Sequence, residues 1–400
     1  MLRIKLLPLL FTLIIVMPVY GEDTHVFQPA TALSQRSESL LIKALSEIGA
    51  QRLDTALQDI GALVHQNPKF KLAQLIYGDL LLAQAKSLQE FGGLSASLAP
   101  QVAALRHEAQ ARWQYHLQRP AADSTPQALV QLPPTQQHAV VVDLNKARLY
   151  LFNNRQGVPH LIHDYYISIG KNGARKVREG DRRTPVGVYF VTGRLAPQNL
   201  PDLYGAGAFP INYPNEWDRR LGKTGSGIWV HGVPSDTFSR PPLASDGCVA
   251  LSNTDLLALG EFLDVGRTPV IIAEDVVWLD QQQWQQQQAH FATLLERWRQ
   301  DWESLDTARY LQHYSATFTA QGKDYPDWAR YKQRVNTHKT SIEVTLDDVS
   351  LFYYPGESGM VVATFQQDYR SNNFSDQTKK RQYWRREADG IWRIVYEGPA

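Results

Sequence analysis

The chain has 400 residues, 43% of them hydrophobic and 20% charged, which is too long for one ordinary domain and apolar enough for two or three cores. Lys and Arg number 41 against 40 Asp and Glu, so no net field draws in nucleic acid or an anionic membrane, and nucleic acid is not an expected partner. The single cysteine excludes an internal disulfide, a thiolate zinc cage and an iron–sulfur site.

The chain opens MLRIKLLPLLFTLIIVMPVYGED. Arg3 and Lys5 form a positive start, Leu6 to Val19 is apolar, and Gly21 ends the segment. This pattern reads as a cleavable secretory signal peptide over 1–21. The apolar run is short for a membrane anchor of about 20 residues. No later segment reads as a membrane span, so a protein soluble outside the cytoplasm is expected. Export gives the cysteine weight, because an oxidising compartment endangers a free thiol. A thiol kept there is expected to do chemistry, the alternative being an inert buried Cys.

Residues 22–120 read as a helical module, with helix expected over 34–117. Leu53, Ala56, Leu57, Ile60, Leu63 and Val64 recur at helical spacing, His65 to Pro68 breaks the pattern, and Leu72 to Leu80 resumes it. The pair resembles one tetratricopeptide-type hairpin with no second copy. Pro, Ser, Thr and Gln make 121–137 a linker.

From His138 the period becomes two. Ala139–Asp143, Ala147–Phe152, Tyr165–Ile169, Val188–Thr192, Gly227–Val230 and Thr268–Ala273 read as strands, with one short helix over Asn253–Phe262. This gives a mostly-β domain over 138–275. The QQQWQQQQ run makes 276–290 a Gln-rich linker. In 291–400 a Trp-rich amphipathic helix, Phe291 to Tyr314, precedes five strands, an α+β pattern. The charges around Tyr383–Arg386 follow from strand alternation.

The chemistry concentrates in Gly227-Ile228-Trp229-Val230-His231-Gly232 and Ser245-Asp246-Gly247-Cys248-Val249-Ala250. A strand delivers His231 to its end, and the cysteine sits in a Ser-x-Gly-Cys turn leading into a helix. Helix amides and an adjacent imidazole would both lower the thiol pKa. The amides of Gly247 and Cys248 are candidates for an oxyanion hole. His160 and His163 have metal-like spacing but lack enough companion ligands, so no metal site is expected.

These motifs resemble the L,D-transpeptidase (YkuD) catalytic domain, whose signature is His-Gly followed by Ser-x-Gly-Cys; here His231 and Cys248 are 17 positions apart. Thr184-Pro185-Val186-Gly187 resembles the family's Thr-Pro-x-Gly turn. The tail resembles the NTF2-like domain of a Gram-negative branch that includes cell-shape L,D-carboxypeptidases. The family's Arg two residues after Cys is Ala250 here.

The resemblance implies a multidomain protein: an N-terminal α-helical hairpin module, a central mostly-β L,D-transpeptidase catalytic domain and a C-terminal α+β NTF2-like domain. It implies a periplasmic enzyme acting on peptidoglycan tetrapeptide stems, with Cys248 as nucleophile, His231 as base and the Gly232 carbonyl orienting the imidazole. Ser245, Tyr213 and Trp229 are the expected substrate-binding residues. No metal or organic cofactor is needed for this chemistry. The alternatives are a carboxypeptidase or amidase of the same fold, which uses water to trim stems or release a wall-linked lipoprotein, and a catalytically weak wall-binding scaffold. A papain-like order of Cys before His does not fit, nor does the Thr-Cys strand of a sortase. The tail, with no Cys, is expected to bind or position a wall fragment or partner and do no chemistry.

Overall fold

The structure is a computed structural model that describes residues 29–85, 99–320 and 322–400. The expected signal peptide lies outside the described residues.

The N-terminal module holds helices α1 (Pro29–Gly49), α2 (Leu53–Gln66), α3 (Lys71–Ala83) and α4 (Ala99–Leu117). The expected hairpin is α2–α3, but it does not stand alone. Ala56, Ile60 and Leu63 of α2 and Leu72, Ala73 and Ile76 of α3 bury against Leu41 and Ala44 of α1. Two short amphipathic helices cannot hide their apolar stripes from water by themselves. The third helix and the central domain complete the cover, and Phe238 of that domain packs onto this core.

The segment expected as the first linker is largely structured. Thr125–Pro126 pairs with Trp278–Leu279, and Leu129–Gln131 joins the edge of the C-terminal sheet beside Ile342–Tyr353. Its composition is polar on average, yet Leu129, Val130 and Leu132 are buried, and burying them fixes the strand.

The central domain is built on a five-stranded sheet in the order Val158–Tyr166, Arg148–Arg155, His138–Asp143, Pro269–Ala273, Gly187–Phe190. Beside it lies a three-stranded sheet of Val249–Ala250, Trp229–His231 and Ala208–Pro210. One apolar core, including Val140, Leu149, Val230, Val249 and Ile272, joins the two.

The Gln-rich segment is not a linker. Gln281–Glu303 is one helix, started by a capping box in which Asp280 accepts from the Gln283 amide and the Gln283 side chain accepts from the Asp280 amide. Glutamine is a good helix former, and Trp284 is buried with its indole N–H donating to the Leu129 carbonyl at 2.6 Å. The expected Phe291–Tyr314 helix ends at Glu303, and Tyr314–Ala320 is a strand. A further helix, Tyr325–Asn336, was not expected. The tail's seven-stranded sheet includes Leu129–Gln131 from far upstream. A buried cluster with Tyr150 and Phe152 from one domain and Phe352, Tyr354 and Tyr383 from the other welds the central and C-terminal domains. The Asn215 amide reinforces the weld, donating to the Val188 carbonyl and the Tyr354 hydroxyl, each at 2.9 Å.

Candidate active site

Parallel pairing of Val249–Ala250 with Trp229–His231 sets Val249 beside Val230 and Ala250 beside His231. This register brings Cys248 to the start of the histidine strand. The Trp229 amide donates to Cys248 Sγ at 3.4 Å, and the thiol donates to the Gly227 carbonyl at 3.5 Å.

His231 is 3% exposed. Its Nδ1 lies 2.6 Å from the Gly232 carbonyl oxygen. A carbonyl only accepts, so Nδ1 carries the hydrogen and Nε2 keeps a lone pair. Burial lowers the His231 pKa to about 4, with the Arg240 charge adding to the fall and the Gly232 hydrogen bond opposing it. The imidazole is therefore neutral near pH 7. Gly232 itself has no room for a side chain: a Cβ would stand 2.2 Å from Asn253 Oδ1 and 2.9 Å from the Ala206 amide nitrogen.

The expected lowering of the thiol pKa is not what the structure gives. Helix Asn253–Gly260 starts five residues after the thiol, and its first turn is closed by its own cap, Ser252, which accepts from the Asp255 amide at 3.0 Å. Burial pushes the Cys248 thiol up, the Trp229 amide opposes this, Asp246 adds to it, and Lys176 and Arg240 oppose it. At rest Cys248 is a thiol and His231, on the neighbouring strand, a neutral imidazole, an arrangement in which a proton would move only as a bond from sulfur formed.

Ser245 shapes the turn. Its hydroxyl donates to the Cys248 carbonyl at 2.6 Å and accepts from the Gly247 amide at 3.2 Å. The Gly247 amide is thus engaged, and to hold an oxyanion it must first leave Ser245. Gly247 has φ +125, and a Cβ there would stand 2.8 Å from the Arg183 carbonyl oxygen, so only glycine fits. Arg183 belongs to the turn before Thr184. Asp181 organises that turn, accepting from Lys176 and from the amides of Val177, Arg178 and Arg183. Against burial, these donors hold its carboxyl at about 2.

The two remaining expected substrate residues separate. Trp229 is half-buried at the site, its ring 4.8 Å from that of Tyr204. Tyr213 is 5% exposed, with its hydroxyl donating to the Thr224 carbonyl at 3.1 Å. It is a core residue here, because its ring packs near Tyr189. His163 is tied to Gln35 and the Asp164 carbonyl and stacks on Tyr165.

Three residues that sequence reasoning missed frame the pair. The Tyr204 ring lies edge-on to His231 at 5.0 Å. Asn253 accepts from the amides of Ala206 and Val233 and donates to the Val233 carbonyl, pinning the chain after the histidine. Arg240, in the loop between the two motifs, donates to the Ala244 carbonyl next to Ser245, and its charge acts on both members of the pair. Asn253 follows the cysteine closely enough to be suspected; Tyr204 and Arg240 sit outside any local motif.

Residues 137–272 match the L,D-transpeptidase catalytic domain (YkuD), and residues 290–398 match the Cds6 C-terminal NTF2-like domain. Among solved structures, Bdellovibrio bacteriovorus Bd1075 is 29% identical over 70% of this chain and 98% of that one, with a TM-score of 0.62. The helical cell shape determining protein Pgp2 from Campylobacter jejuni is 24% identical over 73% of this chain and 100% of that one, with a TM-score of 0.58, a likeness of fold. No curated protein matches the sequence. The chain thus carries an L,D-transpeptidase-type domain over residues 137–272, followed by an NTF2-like domain over residues 290–398.

Proposed function

We propose that the chain is an exported, periplasmic peptidoglycan L,D-transpeptidase that works through a thioester on Cys248. The observation that carries this reading is the hydrogen bond from His231 Nδ1 to the Gly232 carbonyl. It leaves Nε2 as a base on the strand beside the cysteine turn.

Cys248 Sγ attacks the carbonyl between the diamino-acid centre of a tetrapeptide stem and its terminal D-Ala. His231 Nε2 takes the thiol proton as the C–S bond forms. The Cys248 amide, joined by that of Gly247 once it leaves Ser245, faces the oxyanion. Collapse breaks the C–N bond, and His231 returns the proton to the departing D-Ala amine. An acceptor amine then attacks the thioester, loses its proton to His231 and restores the thiol. Water in place of the amine gives a shortened stem.

In this reading the NTF2-like domain binds or positions wall material and does no chemistry. Among the described residues, no helix is long and apolar enough to cross a membrane, which suits a soluble exported enzyme. Incubation with purified disaccharide-tetrapeptide, followed by mass spectrometry, tests the reading. Crosslinked dimers that retain a tripeptide donor support it. Tripeptide alone replaces transpeptidation with carboxypeptidase trimming, and unchanged substrate overturns both.

A further inference from the structure

The loop from Gly232 to Pro242 joins the base to the strand that leads to the nucleophile. Left to itself, such a segment loses backbone entropy at every residue that is ordered. Here the N-terminal helices supply much of the order. The Lys69 carbonyl accepts from the Phe238 amide at 3.1 Å, and Lys69 Nζ donates to the Ser235 carbonyl at 2.7 Å. The rings of Phe70 and Phe238 lie 4.7 Å apart.

Two further routes converge on residues 239 and 240. In the first, Ser239 donates to Glu108 Oε1 at 2.7 Å. Glu108 is fully buried in α4 and paired with Arg112 at 2.8 Å. In the second, the Arg112 guanidinium lies 3.6 Å from the Tyr166 ring centre, and the Tyr166 hydroxyl donates to the Arg240 carbonyl at 3.0 Å. Ser168 donates to the same carbonyl at 2.8 Å. The Arg240 guanidinium in turn donates to the Ala244 carbonyl, next to Ser245 of the cysteine turn.

A buried ion pair is weak evidence of added stability, since desolvation offsets the attraction, and its better-attested use is to fix geometry. We propose that the N-terminal helices are part of the catalytic apparatus: Glu108 acts as a positioning residue that, through Ser239, sets the Arg240 guanidinium beside the cysteine turn. The Arg240 charge acts on both members of the pair, favouring the thiolate of Cys248 and the neutral form of His231. The other groups bearing on the thiol are Lys176, which aids the thiolate, and Asp246, which opposes it.

The inference rests on Cys248 being the reactive thiol, so its test reads the thiol directly. Loss of Arg240 removes a charge that favours the thiolate, so the thiolate fraction falls, and the higher intrinsic nucleophilicity of a more basic thiolate returns only part of that fall. The experiment measures iodoacetamide alkylation of Cys248 at pH 7 in the full chain, for wild type, Ser239→Ala, Ser239→Thr, Arg240→Ala and the Ser239→Ala/Arg240→Ala double variant. Each single alanine variant is expected to slow alkylation, and threonine to restore it. The double variant is expected to be no slower than Arg240→Ala alone, because both changes remove one effect. Wild-type alkylation by Ser239→Ala overturns the proposal, as does an equal slowing by Ser239→Ala when Arg240 is already absent. Should the enzyme reading itself fail, stem peptide stays unchanged while this coupling is still seen.

Discussion

Replacing His231 with glutamine should remove a specific part of the protein's acid sensitivity. The unfolded imidazole titrates near 6.5, and the folded one near 4 because burial penalises its charge. Between these values the unfolded chain binds a proton that the folded chain refuses. The stability contributed by this difference is complete above pH 6.5 and is lost as the pH falls toward 4. With one pKa unit worth about 1.4 kcal/mol, the loss is about 2 kcal/mol at pH 5 and about 3 kcal/mol at pH 4. His163 and His313 are also held below their ordinary values by burial, so only the difference between wild type and variant isolates His231. The assay is the fall in melting temperature between pH 7 and pH 5, measured on both proteins. His231→Gln should fall by several degrees less than wild type, whatever its stability at pH 7. An identical fall in both would mean that the imidazole is not buried neutral, and the base assigned here would lose its physical basis.

Gly247→Ala should cost about 1–3 kcal/mol through its positive φ, with the contact to the Arg183 carbonyl adding to this; an unchanged melting temperature together with unchanged thiol reactivity would refute the tightness of the turn. Lys332 lies buried 4.5 Å from the Trp302 ring and 4.6 Å from the Trp328 ring, and burial lowers its pKa to about 7. Its unfolded value is near 10.5, so folding discourages its charge, and that cost fades as pH rises toward 10.5. Lys332→Met should therefore raise the melting temperature at pH 7 by more than at pH 10, and a gain that grows with pH would contradict the assignment.

The β pairing from 138 to 155 and the His-Gly and Ser-x-Gly-Cys pair were legible because they are local: period two, glycine at a tight turn, one thiol. What escaped depends on partners distant in sequence. Leu129-Val130-Gln131 looks like linker until Ile342–Tyr353 offers it an edge. The glutamine run looks like a spacer because its composition hides Asp280 as a cap and Trp284 as an anchor. Tyr213 is expected to bind substrate, yet whether an aromatic faces solvent depends on what packs over it, here Tyr189 and the Thr224 carbonyl. The Cys248 environment was misjudged for a related reason. A turn leading into a helix implied helix amides at the sulfur, but two strand residues and a serine cap intervene. The welded core of Tyr150, Phe352 and Tyr383 also explains why the C-terminal domain is best probed by point substitution: cutting near Asp280 would expose that core.

The most direct measurement of the central claim is the intact mass of the full protein during turnover of a tetrapeptide stem, with the adduct mapped to a residue. The account predicts a tripeptide-stem acyl group on Cys248, free D-Ala released in equal amount, and neither in a folded Cys248→Ala variant. Release of D-Ala by Cys248→Ala at the wild-type rate, or an adduct on any other residue, would contradict it.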